Sequence, residues 1–263
     1  MDKLYVIKIG GNIIDDEQKL SSFLKEFVSV DGYKLLIHGG GKLATKIAAQ
    51  LGIEQQMIDG RRITNAETLK VVTMVYAGLI NKNIVAQLQA KNCNAIGLTG
   101  ADGNLIKAHK RTHPTIDYGF VGDVDSEQLM VDNWQIFLNN KLTPIIAPIT
   151  HDGKGNLLNT NADTIAQEIA KLLSKIYDVE LIYSFEKSGV LLDVNDETSV
   201  ISMLTKSHYE ELKNKQLIFA GMLPKLDNAF AAINSGVSKV IIGKAEELQQ
   251  LITGEKGTTI VNQ

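Results

Sequence analysis

Leu4-Tyr5-Val6-Ile7-Lys8-Ile9-Gly10-Gly11 decides the fold class of this chain. An apolar, β-branched run broken by one lysine reads as a buried strand, and the glycine pair ends it in a turn. The phrase recurs downstream, where Leu35-Leu36-Ile37 runs into His38-Gly39-Gly40-Gly41. Between the two, Leu20, Phe23, Leu24, Phe27 and Val28 fall at the spacing of one helical face. After the second, Leu43, Ile47, Ala48 and Leu51 mark another helix, ended by Gly52. Strand, glycine loop and helix, twice over, imply βαβ units.

The alternation continues outward. Asn65 suits the N-cap of a long helix carrying Leu69, Val72, Val75, Leu79, Ile80 and Val85, and Ala95-Ile96-Gly97-Leu98 resumes as a strand. Residues 119–124 read as short strand and turn, 126–140 as a helix and 142–149 as one buried strand. Asn161 caps a helix with Ile165, Ile169, Leu172 and Leu173 on one face, and a strand begins at Val179. A strand-and-hairpin segment over 181–201, helices over 206–213 and 224–235, and a strand over 237–242 complete the order. The expectation is an α/β protein with a mostly parallel open sheet and helices on both faces. Two lobes, 1–177 and 178–263, would share one continuous sheet, because no Ser/Pro/Gly-rich linker divides them.

Composition narrows function by exclusion. The 263 residues are 44% hydrophobic, and 27 Lys+Arg against 30 Asp+Glu leave a net charge of −3, which offers no electrostatic footprint for nucleic acid and no polybasic face for a membrane. A single cysteine, Cys93, forms no intrachain disulfide and reads as inert. The N-terminus lacks a signal-peptide pattern and no apolar run approaches the roughly 18 residues of a membrane span, so a soluble cytoplasmic protein is expected.

Chemistry gathers at the glycine clusters. Both stand at strand C-termini, where open α/β sheets bind ligands, and such turns leave backbone N–H groups exposed as an anion cradle. Gly39-Gly40-Gly41-Lys42-Leu43-Ala44 also satisfies the dinucleotide fingerprint, which keeps a nicotinamide oxidoreductase in view, although Asp59 follows a stretch too polar for a central strand. A Walker A loop fails on spacing. Lys8 ends the first strand beside Gly10-Gly11; Lys225, after Gly221-Met222-Leu223-Pro224, lies in the first turn of a helix whose dipole disfavours a cation. Asn159-Thr160-Asn161-Ala162-Asp163 sets three short polar side chains at alternate positions, explicable as turn and N-cap or as a carboxylate grip with an aspartate between two lysines. Arg62 suits bidentate pairing with a carboxylate, and His38 reads as structural.

Lys8 with Gly10-Gly11, His38-Gly39-Gly40-Gly41, Gly60-Arg61-Arg62-Ile63-Thr64, Asn159 to Asp163 and Gly221 to Lys225 together resemble the amino acid kinase family over nearly the whole chain. The resemblance implies a three-layer αβα sandwich, an acylglutamate-binding N-terminal lobe that also dimerises, and an ATP-binding C-terminal lobe. The implied reaction is phosphoryl transfer from MgATP to the γ-carboxylate of N-acetyl-L-glutamate, or of its N-succinyl counterpart, a step of arginine biosynthesis. Carried over by position, Lys8 and Lys225 stabilise the transferring phosphoryl and Asp163 organises both. Gly11, Gly40 and Gly41 supply backbone donors; Arg62, Asn159 and Asn161 hold the acylglutamate. Glu186, Lys187, Ser188, Gly189, Val190 and Leu191 line the nucleotide site, together with the residues just before Gly221. Magnesium enters with ATP, held by phosphates and water. A non-catalytic ligand-binding relative stands beside these readings.

Three positions depart from the family pattern. Glu186 stands where an aspartate is usual, Lys42 where proline or a small residue is usual, and Arg61 where an apolar residue is common. Lys42 and Arg61 are expected either to flank the substrate pocket, which suits an acyl group bearing its own carboxylate, or to point to solvent. The direct start at the first strand, without the N-terminal helix of arginine-inhibited relatives, suggests a homodimer free of arginine feedback.

Overall fold

The computed structural model describes residues 1–58, 61–193, 195–215, 217–218 and 222–262. Strand β1 (Lys3–Ile9) runs through a single turn, α1 (Gly11–Ile14), into helix α2 (Glu17–Val28). The unit repeats as β2 (Tyr33–His38) and α3 (Gly41–Gln50), and a short hairpin, β3 (Met57–Ile58) with β4 (Arg61–Arg62), follows. Next come α4 (Ala66–Thr73), a π-helical stretch over Met74–Ile80, and α5 (Asn81–Gln89), which form one continuous helix. Asn65 caps it, its side chain accepting from Thr68 N. Strands β5 (Ala95–Leu98), β6 (Ala108–Lys110) and β7 (Val121–Val124) lead to α6 (Val131–Asn139). Then follow β8 (Thr143–Ile146), β9 (Ile149–His151), β10 (Leu157–Thr160), α7 (Ala162–Leu173) and β11 (Asp178–Phe185). The chain closes with β12 (Met203–Thr205), α8 (Lys206–Asn214), α9 (Leu223–Asn234), β13 (Lys239–Lys244), α10 (Leu248–Thr253) and β14 (Thr258–Val261).

Eight strands form one sheet in the order β12-β14-β13-β11-β1-β2-β8-β5, parallel except where β14 runs against β13. Alternation along each strand assigns its side chains to opposite faces. Leu4, Val6, Leu35, Ile37, Leu181 and Tyr183 enter the core beneath α6, α7 and α9, whereas Tyr5, Ile7, Ile9, Leu36 and Ile182 enter the one beneath α2, α4 and α5. Helices on both faces of the parallel sheet make the expected three-layer sandwich. Helix α7 buries Ile165, Ile169, Leu172 and Leu173, each stabilising the fold by about 2 kcal/mol.

Three boundaries differ from the sequence reading. The region 126–140 splits into a 3₁₀ turn at Ser126–Gln128 and α6, and 142–149 divides between β8 and β9, with Pro148 between them. The segment before Asn161 is a strand, β10, of a second sheet ordered β6-β7-β10-β9. The helix from Ala66 to Gln89 spans 24 residues, and one 18-residue window of it reaches a mean hydropathy of 1.2, enough to pass for a membrane span by length and composition alone. It packs Val72, Val75, Ile80, Ile84 and Leu88 into the core.

Candidate active site

The C-terminal ends of β1, β2 and β11 converge on the two glycine loops. Period-2 alternation turns Lys8 to the same face as Leu4 and Val6, toward the start of α7, and its Nζ lies 2.7 Å from Asp163 Oδ1. Lys225, in the first turn of α9, approaches the other oxygen at 4.0 Å. It also lies 4.6 Å from the centre of the Phe185 ring, which shields it in a cation–π contact. Burial works to raise the Asp163 carboxyl, but the Lys8 and Lys225 ammonium groups outweigh it and hold the carboxyl below its ordinary value. Burial lowers the Lys225 ammonium, Asp163 opposes the drop, and Lys8 adds to it. One carboxylate between two lysines leaves a surplus positive charge.

The glycine loops face each other. A Cβ on Gly11 would stand 3.8 Å from Gly40 N and 3.9 Å from Gly41 N, so backbone donors of both loops surround a common space. Gly40 has φ +145°, and a Cβ there would lie 2.3 Å from Ile80 Cδ1, so only glycine fits. Helix α3 begins at Gly41, which adds its N-terminal partial charge.

Beside this cradle opens a cavity of about 200 Å³ lined by Gly40, Gly41, Arg62, Asn159 and Asn161, all five residues expected at the substrate. Arg61 and Tyr76 also line it. The Arg62 side chain is buried, and its guanidinium donates to Gln55 Oε1, to the Gly41 carbonyl at 2.8 Å and to Thr45 Oγ1 at 2.9 Å. Among the described residues no carboxylate pairs with it. Neutral acceptors orient this cation without neutralising it, and burying a charge in that state is costly unless an anion completes the site. Asn159 Nδ2 donates to Thr64 Oγ1 at 3.0 Å. Asn161 caps α7, its Oδ1 accepting from Asp163 N and Thr164 N. The cap uses only the amide oxygen, so N-cap and ligand grip are compatible roles for one residue.

The stretch Glu186 to Leu191 forms a separate cluster beyond the end of β11. Lys187 Nζ and Ser188 Oγ donate to Glu197 at 2.9 and 2.5 Å, and Lys244 Nζ, at the end of β13, adds a third contact at 3.3 Å. These bonds, with Ser188 and Lys187 first, hold the Glu197 carboxyl at about 2. Glu186 is exposed, whereas Gly189 and Val190 are buried, with Val190 N donating to Thr258 Oγ1 at 2.8 Å. None of the six lines the cavity beside Arg62.

Lys42 corrects one expectation. It lines a different cavity, with Asp15 and Lys46 on the far side of α3, so Arg61 alone of the two additional cations faces the candidate substrate space. Asp59, Gly60, and Gly221 with the two residues before it lie outside the described residues.

The sequence profile of the amino acid kinase family matches residues 3–244. Acetylglutamate kinase of Cytophaga hutchinsonii is 57% identical over 99% of both chains, and that of Phocaeicola vulgatus is 55% identical over 95% of this chain and 96% of the relative. The chain belongs to the amino acid kinase family. Its fold superposes on the smu.665 chain of Streptococcus mutans with a TM-score of 0.78 at 26% identity, over 99% of each.

Amino acid kinase membership disfavours the nicotinamide reading, as does β3, a two-residue hairpin strand rather than a central one. Several residues behind the site escaped the sequence reading. Phe185 covers Lys225, Tyr183 hydroxyl donates to the Asp163 carbonyl at 3.3 Å, and Gln55, Thr45 and Thr64 fix Arg62 or Asn159. Only Tyr183 carried a signal, as an aromatic hydroxyl within a buried strand needing a partner.

Proposed function

We propose that this chain transfers the γ-phosphoryl of ATP to the γ-carboxylate of N-acetyl-L-glutamate, giving the acyl phosphate, in the arginine-biosynthetic step of its acetylglutamate kinase relatives. The observation that carries this reading is the buried Arg62 guanidinium, held by neutral acceptors at the wall of a cavity beside two lysines. It calls for a carboxylate substrate.

The acceptor carboxyl, with an ordinary pKa of about 4.3, is already ionised at neutral pH, so no general base is required. The barrier is repulsion between two anions. Arg62, Asn159 and Asn161 hold the acylglutamate, while Gly11, Gly40 and Gly41 offer backbone N–H groups to phosphate and substrate. Lys8 and Lys225 neutralise charge on the transferring phosphoryl, and Asp163 keeps their ammonium groups apart and in place. Magnesium would enter with ATP and, when bound, supply further charge neutralisation. Phosphates and water would be the chief ligands of that ion. Residues 1–177 take the acylglutamate and 178–263 the nucleotide, with Glu186 to Leu191 along its site.

Exposed Leu51, Met57, Met74 and Leu79 on and beside the Ala66–Gln89 helix support a homodimer. The composition supports a cytoplasmic location. Arg61 at the cavity supports a test of N-succinyl-L-glutamate as well. The experiment is ADP release from MgATP with the N-acetyl and N-succinyl substrates in parallel, using wild type and Lys225→Ala. Turnover lost in the variant supports the reading and names the acyl group; no turnover with either substrate overturns it.

A further inference from the structure

His38 and Asn81 are fully buried behind the glycine loop, and neither lines the cavity. Alternation along β2 turns His38 to the face of Leu36, toward α5, whose first residue is Asn81. His38 Nδ1 lies 2.8 Å from the Gly39 carbonyl oxygen and Nε2 lies 3.1 Å from Asn81 Nδ2. A carbonyl can only accept, so Nδ1 carries the hydrogen and Nε2 accepts from the amide. Asn81 Nδ2 also donates to the Ile145 carbonyl at 2.9 Å, and its Oδ1 accepts from Lys82 Nζ at 3.2 Å, which in turn reaches the Gly97 carbonyl at 2.7 Å. Every polar atom of both side chains is used, in one ring tautomer and one amide orientation.

The surroundings are built around this arrangement. A Cβ on Gly97 would stand 2.0 Å from Asn81 Oδ1, so β5 gives up a side chain to admit the amide. The π-helical stretch ends immediately before Asn81 and brings Tyr76 and Ile80 against Gly40. In a planar trans peptide the carbonyl and the following N–H point in opposite directions. Holding the Gly39 carbonyl inward, toward His38, therefore aims the Gly40 N–H outward, toward the Gly11 loop. Among the described residues that N–H donates to no other group.

We propose that His38 and Asn81 are positioning residues for phosphoryl transfer, which hold the Gly39-Gly40 peptide so that its N–H faces the transferring phosphoryl. The inference rests on the kinase reading of the site. Neither residue touches a reactant; Asn81 fixes the ring, and the ring fixes the peptide.

The test separates the two ring nitrogens. His38→Asn keeps a donor where Nδ1 stood, and His38→Gln keeps an acceptor where Nε2 stood but gives Gly39 no donor. The glutamine variant should lose kcat about ten- to a hundredfold with KM for the acylglutamate nearly unchanged, while the asparagine variant retains most of its kcat. The Gly40 amide resonance, recorded without substrate, should shift and broaden in the glutamine variant alone, as the peptide loses its fixed orientation. A packing role would reverse the ranking, because asparagine leaves the larger void, and equal losses or the reverse order overturns the proposal. Gly97→Ala, which displaces Asn81 from outside the cavity, should lower kcat in the same way; full kcat in the folded alanine variant overturns it too. Should the variants not fold, the ¹⁵N shifts of the wild-type ring decide, since a hydrogen on Nε2 contradicts the arrangement. If wild type shows no turnover, the kinase reading fails, whereas the amide-resonance and ring-nitrogen measurements still judge the Gly39 bond by itself.

Discussion

Keeping His38 neutral ties the stability of the fold to pH. Burial lowers the ring from 6.5 to about 4, with the hydrogen bond to the Gly39 carbonyl opposing the drop. In the unfolded chain the ring takes up its proton near the ordinary value; in the native state it stays neutral until about 4. Between these limits the unfolded state binds more protons, so native stability falls as pH falls and is unaffected by this group above the ordinary value. At about pH 5, roughly 1.5 pH units below the unfolded pKa, the linkage amounts to roughly 2 kcal/mol at about 1.4 kcal/mol per unit. The perturbation is His38→Asn, which removes the titrating group. Urea unfolding at about pH 7 and pH 5, at one protein concentration, gives the comparison, and contributions from the other four of the five histidines cancel between the proteins. Wild type should lose roughly 2 kcal/mol more than the variant over this interval. Equal losses would mean that His38 titrates normally in the fold, and the buried neutral network would be refuted.

The same site yields two further expectations. Arg62→Met removes a buried cation held by a carbonyl, a hydroxyl and an amide oxygen; KM for the acylglutamate should rise at least about tenfold, while the thermal midpoint holds or rises because an uncompensated charge has left the interior. A lower midpoint with unchanged KM would show that Arg62 serves the fold alone. Lys225 is lowered chiefly by burial, then by Lys8, against the pull of Asp163. As pH rises it therefore loses its proton before an ordinary lysine does, and kcat/KM for ATP, which reports the free enzyme, should decline on the alkaline side below the usual lysine range. Lys225→Arg should shift that limb upward in whatever activity remains, and an unmoved limb would assign it to another group.

The parallel core was legible because β1 and β2 state it twice, each as an apolar run ending in glycines. Lys8 and Asp163 were legible as chemistry, but their meeting depends on alternation along β1 and on α7 starting over the same face, which spacing alone does not give. The π-helical stretch was invisible, since Met74 to Ile80 reads as ordinary helix and Gly40, against which Tyr76 and Ile80 pack, lies about 40 residues away in sequence. Lys42 misled for a related reason. It adjoins the glycine loop, yet one step into α3 rotates its side chain to the opposite side of the helix from the loop's backbone donors. The partners of Arg62 were beyond reach because Gln55 and Thr45 come from different segments and carry no pattern of their own.

The charges at the site explain why the fold tolerates so much polarity at the C-terminal ends of its central strands. Lys8, Lys225 and Arg62 bring three positive charges and Asp163 one negative, all partly or wholly removed from water. A structure optimised for stability alone would pair each cation or replace it by an apolar side chain. Here Asp163 is shared, 2.7 Å from one lysine and 4.0 Å from the other, and among the described residues Arg62 is steadied by neutral oxygens alone. The groups are held in place, while their positive charge remains for a ligand to neutralise. Two anionic reactants would supply the missing charge, and the mutual repulsion that keeps them apart in water would be offset by cations already desolvated and oriented. Preorganisation of this kind costs stability in the empty protein and returns it on binding, so both substrates together should raise the thermal midpoint by more than the sum of their separate effects.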